Sequence, residues 1–181
     1  MINQEFTLSI YSENHVGLLN QITTIFIRRH INIESLTTSE SAIEGIHKFT
    51  IIVNTTREQV EKLRQQIDKR VDVIKAFVFT NDEVIHQEIA LYKVPTEALL
   101  NSNEIERLVR EYGARILEIT SEYTVIEKTG HKFETQELFE KLDRFGVSQF
   151  VRSGRVAVTK LSKELLTNYL KKLDKEETIL D

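Results

Sequence analysis

The sequence predicts an α+β fold in which the order βαββαβ occurs twice and is followed by a C-terminal helix. Short runs in which apolar and polar residues alternate indicate strands, and the segments between them place apolar residues three and four positions apart, as helices do. The same order recurs on both sides of the polar break Asn81-Asp82-Glu83. Because 181 residues are enough for two domains of about 80 to 90 residues, we expect domains over residues 1–80 and 84–181.

The first half begins with a strand, a helix and a hairpin. Phe6, Leu8 and Ile10 alternate as in a half-buried strand. After a turn at Gly17, helical spacing is seen in Val16, Leu19, Ile22 and Phe26. Two runs rich in β-branched residues, Ile31 to Thr38 and Ile46 to Val53, predict the hairpin. The residues expected to share one face of its second strand are Phe49, Ile51 and Val53.

The first half ends with a second helix and a fourth strand. Thr55 and Glu58 suggest a capping box, which is typical of a helix start. The apolar stripe of this helix consists of Val60, Leu63 and Ile67. The period-two residues that predict the closing strand are Val71, Val73, Phe77 and Phe79.

The second half repeats the order. A strand over Ile89 to Val94 is stopped by Pro95, and a helix ends at Gly113, which suits a left-handed cap. The helix stripe is Ile105, Leu108, Val109 and Tyr112. The remaining predicted elements are strands at Ala114 to Ile119 and Tyr123 to Lys128, a helix through Leu138, Phe139 and Leu142, and extended segments at Phe150-Val151 and Val156 to Val158. Ser162 is expected to cap a terminal helix containing Leu165, Leu166, Tyr169 and Leu170, before a solvated tail at Asp174 to Glu177.

Composition excludes several classes of site. The chain has no cysteine, so disulfides, thiolate zinc sites and cysteine nucleophiles are ruled out. Its five histidines are scattered, and we expect neither a metal site nor a catalytic residue. The net charge of -4 argues against nucleic-acid binding. No apolar run approaches the roughly 20 residues that span a bilayer, and the N-terminus lacks signal-peptide features, so a cytoplasmic protein without membrane contact is expected.

The segment from Glu13 to Leu19 combines a strand end, a glycine turn and a helix start. The free N–H groups and dipole of a helix start can hold a carboxylate, so the pattern suggests a ligand such as an amino acid. Two simpler roles stay open, in which Gly17 serves only the turn and Asn14 only caps the helix. Similarly, Arg28-Arg29-His30 could bind a phosphate or an acidic partner, or simply complement the helix dipole.

These residues resemble the small regulatory subunit of acetolactate synthase (acetohydroxyacid synthase). The similar segments are Glu13-Asn14, Gly17, Leu19, Phe26, Arg29, Asn32 to Leu36, Val71 to Val73, Gln87 to Val94, Tyr123 to Val125 and Arg152 to Gly154. The resemblance implies two ferredoxin-like domains, an N-terminal ACT domain and a C-terminal ACT-like domain. It implies no catalytic site in this chain, which would bind and activate the large subunit and confer feedback inhibition by valine or another branched-chain amino acid. Thiamine diphosphate, Mg and FAD are expected on that catalytic partner only.

The resemblance also implies an effector site at Asn14, Gly17, Leu18, Leu19, Asn32 and Ile33. The N–H groups of Gly17 and Leu18 would receive the carboxylate. The amides of Asn14 and Asn32 would hold the amino group and carboxylate, while Leu19 and Ile33 would line an apolar slot. A homodimer through ACT domains would bring Asn14 of one chain to Asn32 of the other.

The chain departs from the family pattern at Asn20-Gln21, where a small residue and an arginine are common. This departure bears on effector preference. The second domain has Val94 to Glu97 in place of the glycine turn, which favours partner and dimer contacts there. Two other functions are weighed: an RNA-binding domain of the same βαββαβ order, and a free-standing enzyme.

Overall fold

The computed structural model describes residues 2–101, 103–162 and 165–171. The described residues divide into two compact units: one comprises Met1–Ile85 with Ala157–Asp181, and the other His86–Val156. The chain after Ala157 thus groups with the first unit, whereas the sequence pattern places it in the second domain.

The first unit has the predicted βαββαβ order, with β1 (Gln4–Glu13), α1 (Leu18–Arg28), β2 (Ser35–Glu40), β3 (Ile46–Thr55), α2 (Arg57–Ile67) and β4 (Val73–Thr80). The sheet order is β2-β3-β1-β4, and neighbouring strands are antiparallel. One face of the sheet packs with the helices. The predicted face residues of β1 and β3 are all buried in this core: Phe6, Leu8, Ile10, Phe49, Ile51 and Val53.

The stripe predicted for α1 is wrong at two positions. Val16 precedes the helix and is fully exposed, and Leu19 points outward. Because the helix begins at Leu18, the buried residues follow from that position at i+4, i+7 and i+8. They are Leu18, Ile22, Ile25 and Phe26.

Three element boundaries also differ from the predictions. The strand predicted from Ile31 begins only at Ser35, since the chain must first pass from the helix to the sheet. The capping residue of α2 is Thr56, because Thr55 still pairs with Gln4 in the sheet. Thr56 accepts a hydrogen bond from the Gln59 N–H at 3.3 Å. Val71 is fully exposed and precedes β4.

The second face of this sheet is covered by the chain after Ala157. Phe79 is buried with Val84 and Ala157, and Phe77 and Leu165 pack against them. The Lys48 ammonium donates to the Ala157 carbonyl at 2.9 Å. Residues 165–171 are helical (α6), which agrees with a terminal helix. The predicted tail at residues 174–177, and the Ser162 cap, which concerns residues 163 and 164, fall on residues outside the described ranges.

The second unit repeats the pattern after a 3-10 turn at Asn81–Glu83. The elements from here on are β5 (Val84–Pro95), α3 (Thr96–Asn101), α4 (Glu104–Glu111), β6 (Arg115–Ile119), β7 (Tyr123–Gly130), α5 (Lys132–Asp143), β8 (Gln149–Arg152) and β9 (Val156–Thr159). The first two residues of β5 and the last three of β9 group with the first unit. Strand order is β6-β7-β5-β8, and β9 also pairs with β5. Tyr92 and Ile126 are buried with Ile105 and Leu108 of α4 and with Leu138 and Leu142 of α5. Gly113 has φ +58°, which confirms the predicted left-handed cap. Within the described ranges no helix is long and apolar enough to cross a bilayer.

Candidate functional site

The site begins where β1 passes into α1. Gly17 occupies the cap position of α1 with φ +89° and ψ -7°, a left-handed conformation that L side chains rarely adopt. No side chain caps this helix, so Asn14 does not serve as its cap. Asn14 is instead exposed beside the turn. The capping role of Asn14 is therefore wrong, and Gly17 forms the predicted turn.

The first turn of α1 presents backbone donors to solvent. The Leu18 N–H donates to the His15 carbonyl at 3.3 Å, and the Gln21 N–H donates to the Gly17 carbonyl at 3.1 Å. Among the described residues, no hydrogen bond uses the N–H of Leu19 or Asn20. These two donors therefore lie open at the positive end of the helix dipole. The family resemblance assigned the carboxylate to the N–H groups of Gly17 and Leu18; in the structure the Leu18 N–H is bonded to the His15 carbonyl, and the open donors are one and two residues further along.

Two adjacent leucines have different roles. The Leu18 side chain is 2% exposed and belongs to the core, whereas Leu19 is 42% exposed. Leu18 therefore anchors the helix start, and Leu19 is available to an apolar ligand group. His15 Nε2 lies 2.9 Å from Glu13 Oε2, so these two exposed side chains, which precede the turn in sequence, contact each other.

Asn32 and Ile33 lie in the loop that joins α1 to β2. The helix ends in a Schellman motif, in which His30 has φ +53° and the Ile31 N–H donates to the Phe26 carbonyl. Asn32 is exposed, and its Nδ2 donates to Glu34 Oε1 at 2.9 Å. Ile33 is half-buried and packs against the core. Both residues precede the strand rather than lying on it.

The register of the sheet separates the two halves of the predicted site within one chain. Ser35 pairs with Ile52, which in turn pairs with Thr7 on the other side of β3. Glu13, which precedes Asn14, is six residues further along β1. At roughly 3.3 Å per residue, the end of β1 and the start of β2 are about 20 Å apart along the strands. One chain therefore groups Asn14 with Gly17 and Leu19, and Asn32 with Ile33.

Several groups of the second unit have shifted pKa values. Burial raises the pKa of the Tyr92 hydroxyl, which donates to the Thr135 carbonyl at 2.7 Å. The Thr129 hydroxyl, with Arg115, holds the pKa of Glu127 below its usual value despite burial. Neither group lies at the α1 start. The described residues contain no group of three or more His, Cys, Asp or Glu side chains that could hold a metal ion.

Comparisons with known proteins match both halves of the chain. Residues 8–75 match a family described as "AHAS small subunit-like ACT domain". Residues 87–161 match one described as "Small subunit of acetolactate synthase". The acetolactate synthase small subunit of Bacillus subtilis (strain 168) is 32% identical over 145 residues, covering 80% of this chain and 84% of that protein. The chain belongs to the acetolactate synthase small subunit family.

Further matches agree with this family assignment. The small subunit of Mycobacterium leprae (strain TN) is 32% identical over 154 residues, covering 85% of this chain and 90% of that protein. The crystal structure of the small subunit from Thermotoga maritima is 26% identical, has a TM-score of 0.80, and covers 88% of this chain and 99% of that one. The predicted family, the two-unit α+β fold and the assignment as a regulatory, non-catalytic small subunit are confirmed. Membership of this family favours a regulatory subunit over the two other functions weighed above, RNA binding and free-standing catalysis.

Proposed function

We propose that this chain binds the large, thiamine-diphosphate-dependent subunit of acetolactate synthase in the cytoplasm, raises its activity, and makes it sensitive to valine or a related amino acid. Thiamine diphosphate, Mg and FAD belong to the catalytic partner in this proposal. The observation that supports effector binding is the open pair of N–H groups at Leu19 and Asn20, beside the exposed amide of Asn14. Residues 1–80 are proposed as the effector-binding domain.

The chemistry of an amino acid fits this arrangement. Its carboxylate accepts from the two open N–H groups and lies at the positive end of α1. Gly17 has no Cβ, and a Cβ built there would meet no described atom within 4 Å, so space for a ligand is open beside the turn. The amide oxygens of Asn14 and Asn32 can accept from the ligand ammonium. Leu19 and Ile33 supply apolar contacts for a branched side chain.

We further propose that the site forms between two chains. The separation of about 20 Å along the strands keeps Asn32 of one chain away from its own Asn14, so a single ligand cannot contact both within one chain. In a homodimer in which the end of β1 faces the partner's α1–β2 loop, Asn14 of one chain and Asn32 of the other would lie at the same site. A ligand bound across this interface favours the dimer, and the dimer in turn favours ligand binding.

The second unit is proposed to contact the catalytic subunit. It lacks a glycine turn after β5, because Pro95 leads directly into α3 at Thr96. Its β5 and β8 strands also expose Ile89, Leu91 and Val151, which are large apolar side chains. Exposed apolar residues in neighbouring strands are typical of an interaction surface.

Reconstitution tests this function. The isolated chain should convert no pyruvate, and mixing it with the large subunit should raise activity that valine, leucine or isoleucine then lowers. The variant Gly17→Asp should abolish effector binding, because its carboxylate would lie beside the N–H groups that the ligand needs. Gly113→Asp is the matched control, since Gly113 also has a positive φ and an open Cβ position but lies in the second unit.

The two glycine variants separate binding from backbone strain. Both should lose stability of the order of 1–2 kcal/mol, the cost of a left-handed L residue. Only Gly17→Asp should lose the calorimetric heat of valine binding and the inhibition of the reconstituted enzyme. Unchanged valine binding by Gly17→Asp would defeat the assignment of the site.

A further inference from the structure

A basic cleft lies where the C-terminal ends of α1 and α2 meet on the first unit. Its volume is about 450 Å³. The lining residues are Ile25, Arg28, Arg29, Gln66, Lys69 and Arg70. Four of these side chains are cationic, and none of the described lining residues is acidic. Ile25 is a buried core residue and gives the cleft a fixed apolar base. The cleft shares no residue with the proposed effector site.

Cationic side chains elsewhere on α2 form ion pairs with carboxylates, unlike those of this cleft. Arg57 pairs with Glu61 at 2.9 Å, and Lys62 pairs with Glu58 at 2.5 Å. These are ordinary i,i+4 ion pairs on a solvated helix face.

Within the described part of the chain, Arg28, Lys69 and Arg70 form no ion pair. Arg29 donates from Nε to Gln66 Oε1 at 2.6 Å, which is a neutral acceptor. The Asp68 carboxylate, next to Lys69 in sequence, is already engaged by other groups. These groups are Arg64 at 2.6 Å, Lys75 at 3.0 Å and the Ala76 N–H at 2.7 Å. The positive charge of the cleft is therefore not neutralised by this carboxylate.

Helix capping does not account for these side chains. The last carbonyls of α1 accept from the backbone, with Ile27 bonded to the His30 N–H at 3.0 Å and Phe26 to the Ile31 N–H at 3.1 Å. The Ile67 carbonyl, at the end of α2, accepts from the Arg70 N–H at 3.0 Å. The guanidinium groups of Arg28 and Arg70 thus remain available to an external ligand.

The charge balance favours an anion with more than one negative charge. Two helix C-termini contribute about -0.5 each, which leaves a net charge of roughly +3 from the four cations. A single carboxylate would neutralise only part of this. Arginine forks match phosphate oxygens with paired hydrogen bonds, and three of the four cations are arginines.

We propose that the cleft formed by Arg28, Arg29, Lys69 and Arg70 binds a small anion that contains a di- or triphosphate group. The phosphate oxygens accept from the three guanidinium groups, and Lys69 contributes a point charge at the rim. The phosphate chain is supplied either by an inorganic polyphosphate or by a nucleotide. This site is distinct from the proposed amino-acid effector site, because the two share no residue.

Calorimetry on the full chain tests the proposal with inorganic pyrophosphate, tripolyphosphate and GTP as probes. We expect binding of one anion per chain that weakens with added salt. The double variant Arg28→Gln, Arg70→Gln should weaken binding by roughly tenfold or more, because it removes two charged hydrogen-bond donors. Arg107→Gln is the matched control: it removes an exposed cation of α4 that lies outside the cleft and should bind within about twofold of the parent chain.

Thermal unfolding of each variant checks that the fold is retained. GTP binding tighter than tripolyphosphate would identify a nucleotide, and equal affinity would identify the phosphate chain alone; each supports the site. The proposal is overturned if no probe binds at millimolar concentration, or if the double variant binds like the parent. It is also overturned if citrate or an acidic peptide binds more tightly than every phosphate, since the ligand class would then be a carboxylate.

Discussion

If the effector site lies between two chains, a heterodimer of two variants that each lack one site asparagine should contain one intact site. In Asn14→Ala homodimers both sites lack the amide at the end of β1. In Asn32→Ala homodimers both lack the amide of the α1–β2 loop. A heterodimer of the two variants contains one site with both asparagines and one site with neither, because a two-fold interface pairs each residue with its counterpart position on the partner.

The magnitude follows from the geometry and from the strength of the bonds that are lost. Each asparagine makes at most a few hydrogen bonds to a charged ligand group, at about 1.5–3 kcal/mol each, so each single variant should weaken binding by roughly tenfold or more. Random pairing of equal amounts gives about half heterodimers, each with one intact site of two, so about a quarter of all sites should recover parental affinity. In purified heterodimers, about half of all sites should recover parental affinity.

The assay uses coexpressed chains with different tags, tandem purification of the heterodimer, and calorimetric titration with valine. The negative control is a heterodimer of two differently tagged Asn14→Ala chains, which should contain no intact site. Asn54→Ala, an exposed asparagine of β3, controls for loss of an amide elsewhere in the same domain. A tandem-purified Asn14→Ala/Asn32→Ala heterodimer that binds no better than its parents would refute the shared site.

Two further predictions concern the second unit. Tyr92→Phe should lower the free energy of unfolding by about 1 kcal/mol in urea denaturation, because it removes the bond to the Thr135 carbonyl, whereas the partly exposed Tyr123→Phe should have little effect; equal losses would contradict this. Glu127 has a pKa lowered first by the Thr129 hydroxyl, so its contribution to stability is present above the unfolded pKa and is lost as the pH falls below roughly 4.3. Glu127→Gln should therefore flatten the acid side of the stability–pH curve, and an unaltered curve would show that other carboxylates dominate.

Periodicity predicted the elements of this fold well, but not the residues at which they begin. The alternation of Phe6, Leu8 and Ile10 identified a core face because a strand has only two faces. In α1 the apolar residues Leu18 and Leu19 are adjacent, and only the start of the helix decides which of them is buried. The sequence placed the turn at Gly17, but the helical stripe was counted from Val16, which precedes the helix, and so it included Leu19 instead of Leu18.

Long-range pairing explains what the sequence could not predict. The chain from Ala157 on comes after the second βαββαβ order in sequence. Its apolar residues nevertheless pack on the face of the first sheet that the helices α1 and α2 do not cover, beside Phe77 and Phe79. The basic cleft likewise joins Arg28 and Arg29 to residues near Lys69, about 40 positions away. Neither arrangement has a local signal, because each depends on how separate elements pack.

The first turn of α1 has a consequence for how an effector would act. Gly17 adopts the positive φ, Leu18 fixes the helix in the core, and the open N–H groups of Leu19 and Asn20 are therefore held in place before any ligand binds. A ligand pays little ordering cost on this half of the proposed site. The other half is Asn32 on the partner's α1–β2 loop, where Nδ2 donates to Glu34 Oε1 and the amide oxygen is left to accept from the ligand ammonium. Differential affinity between assembled and separate chains would then arise at the α1–β2 loop, and this loop is where an effector would alter the assembly that the catalytic subunit meets.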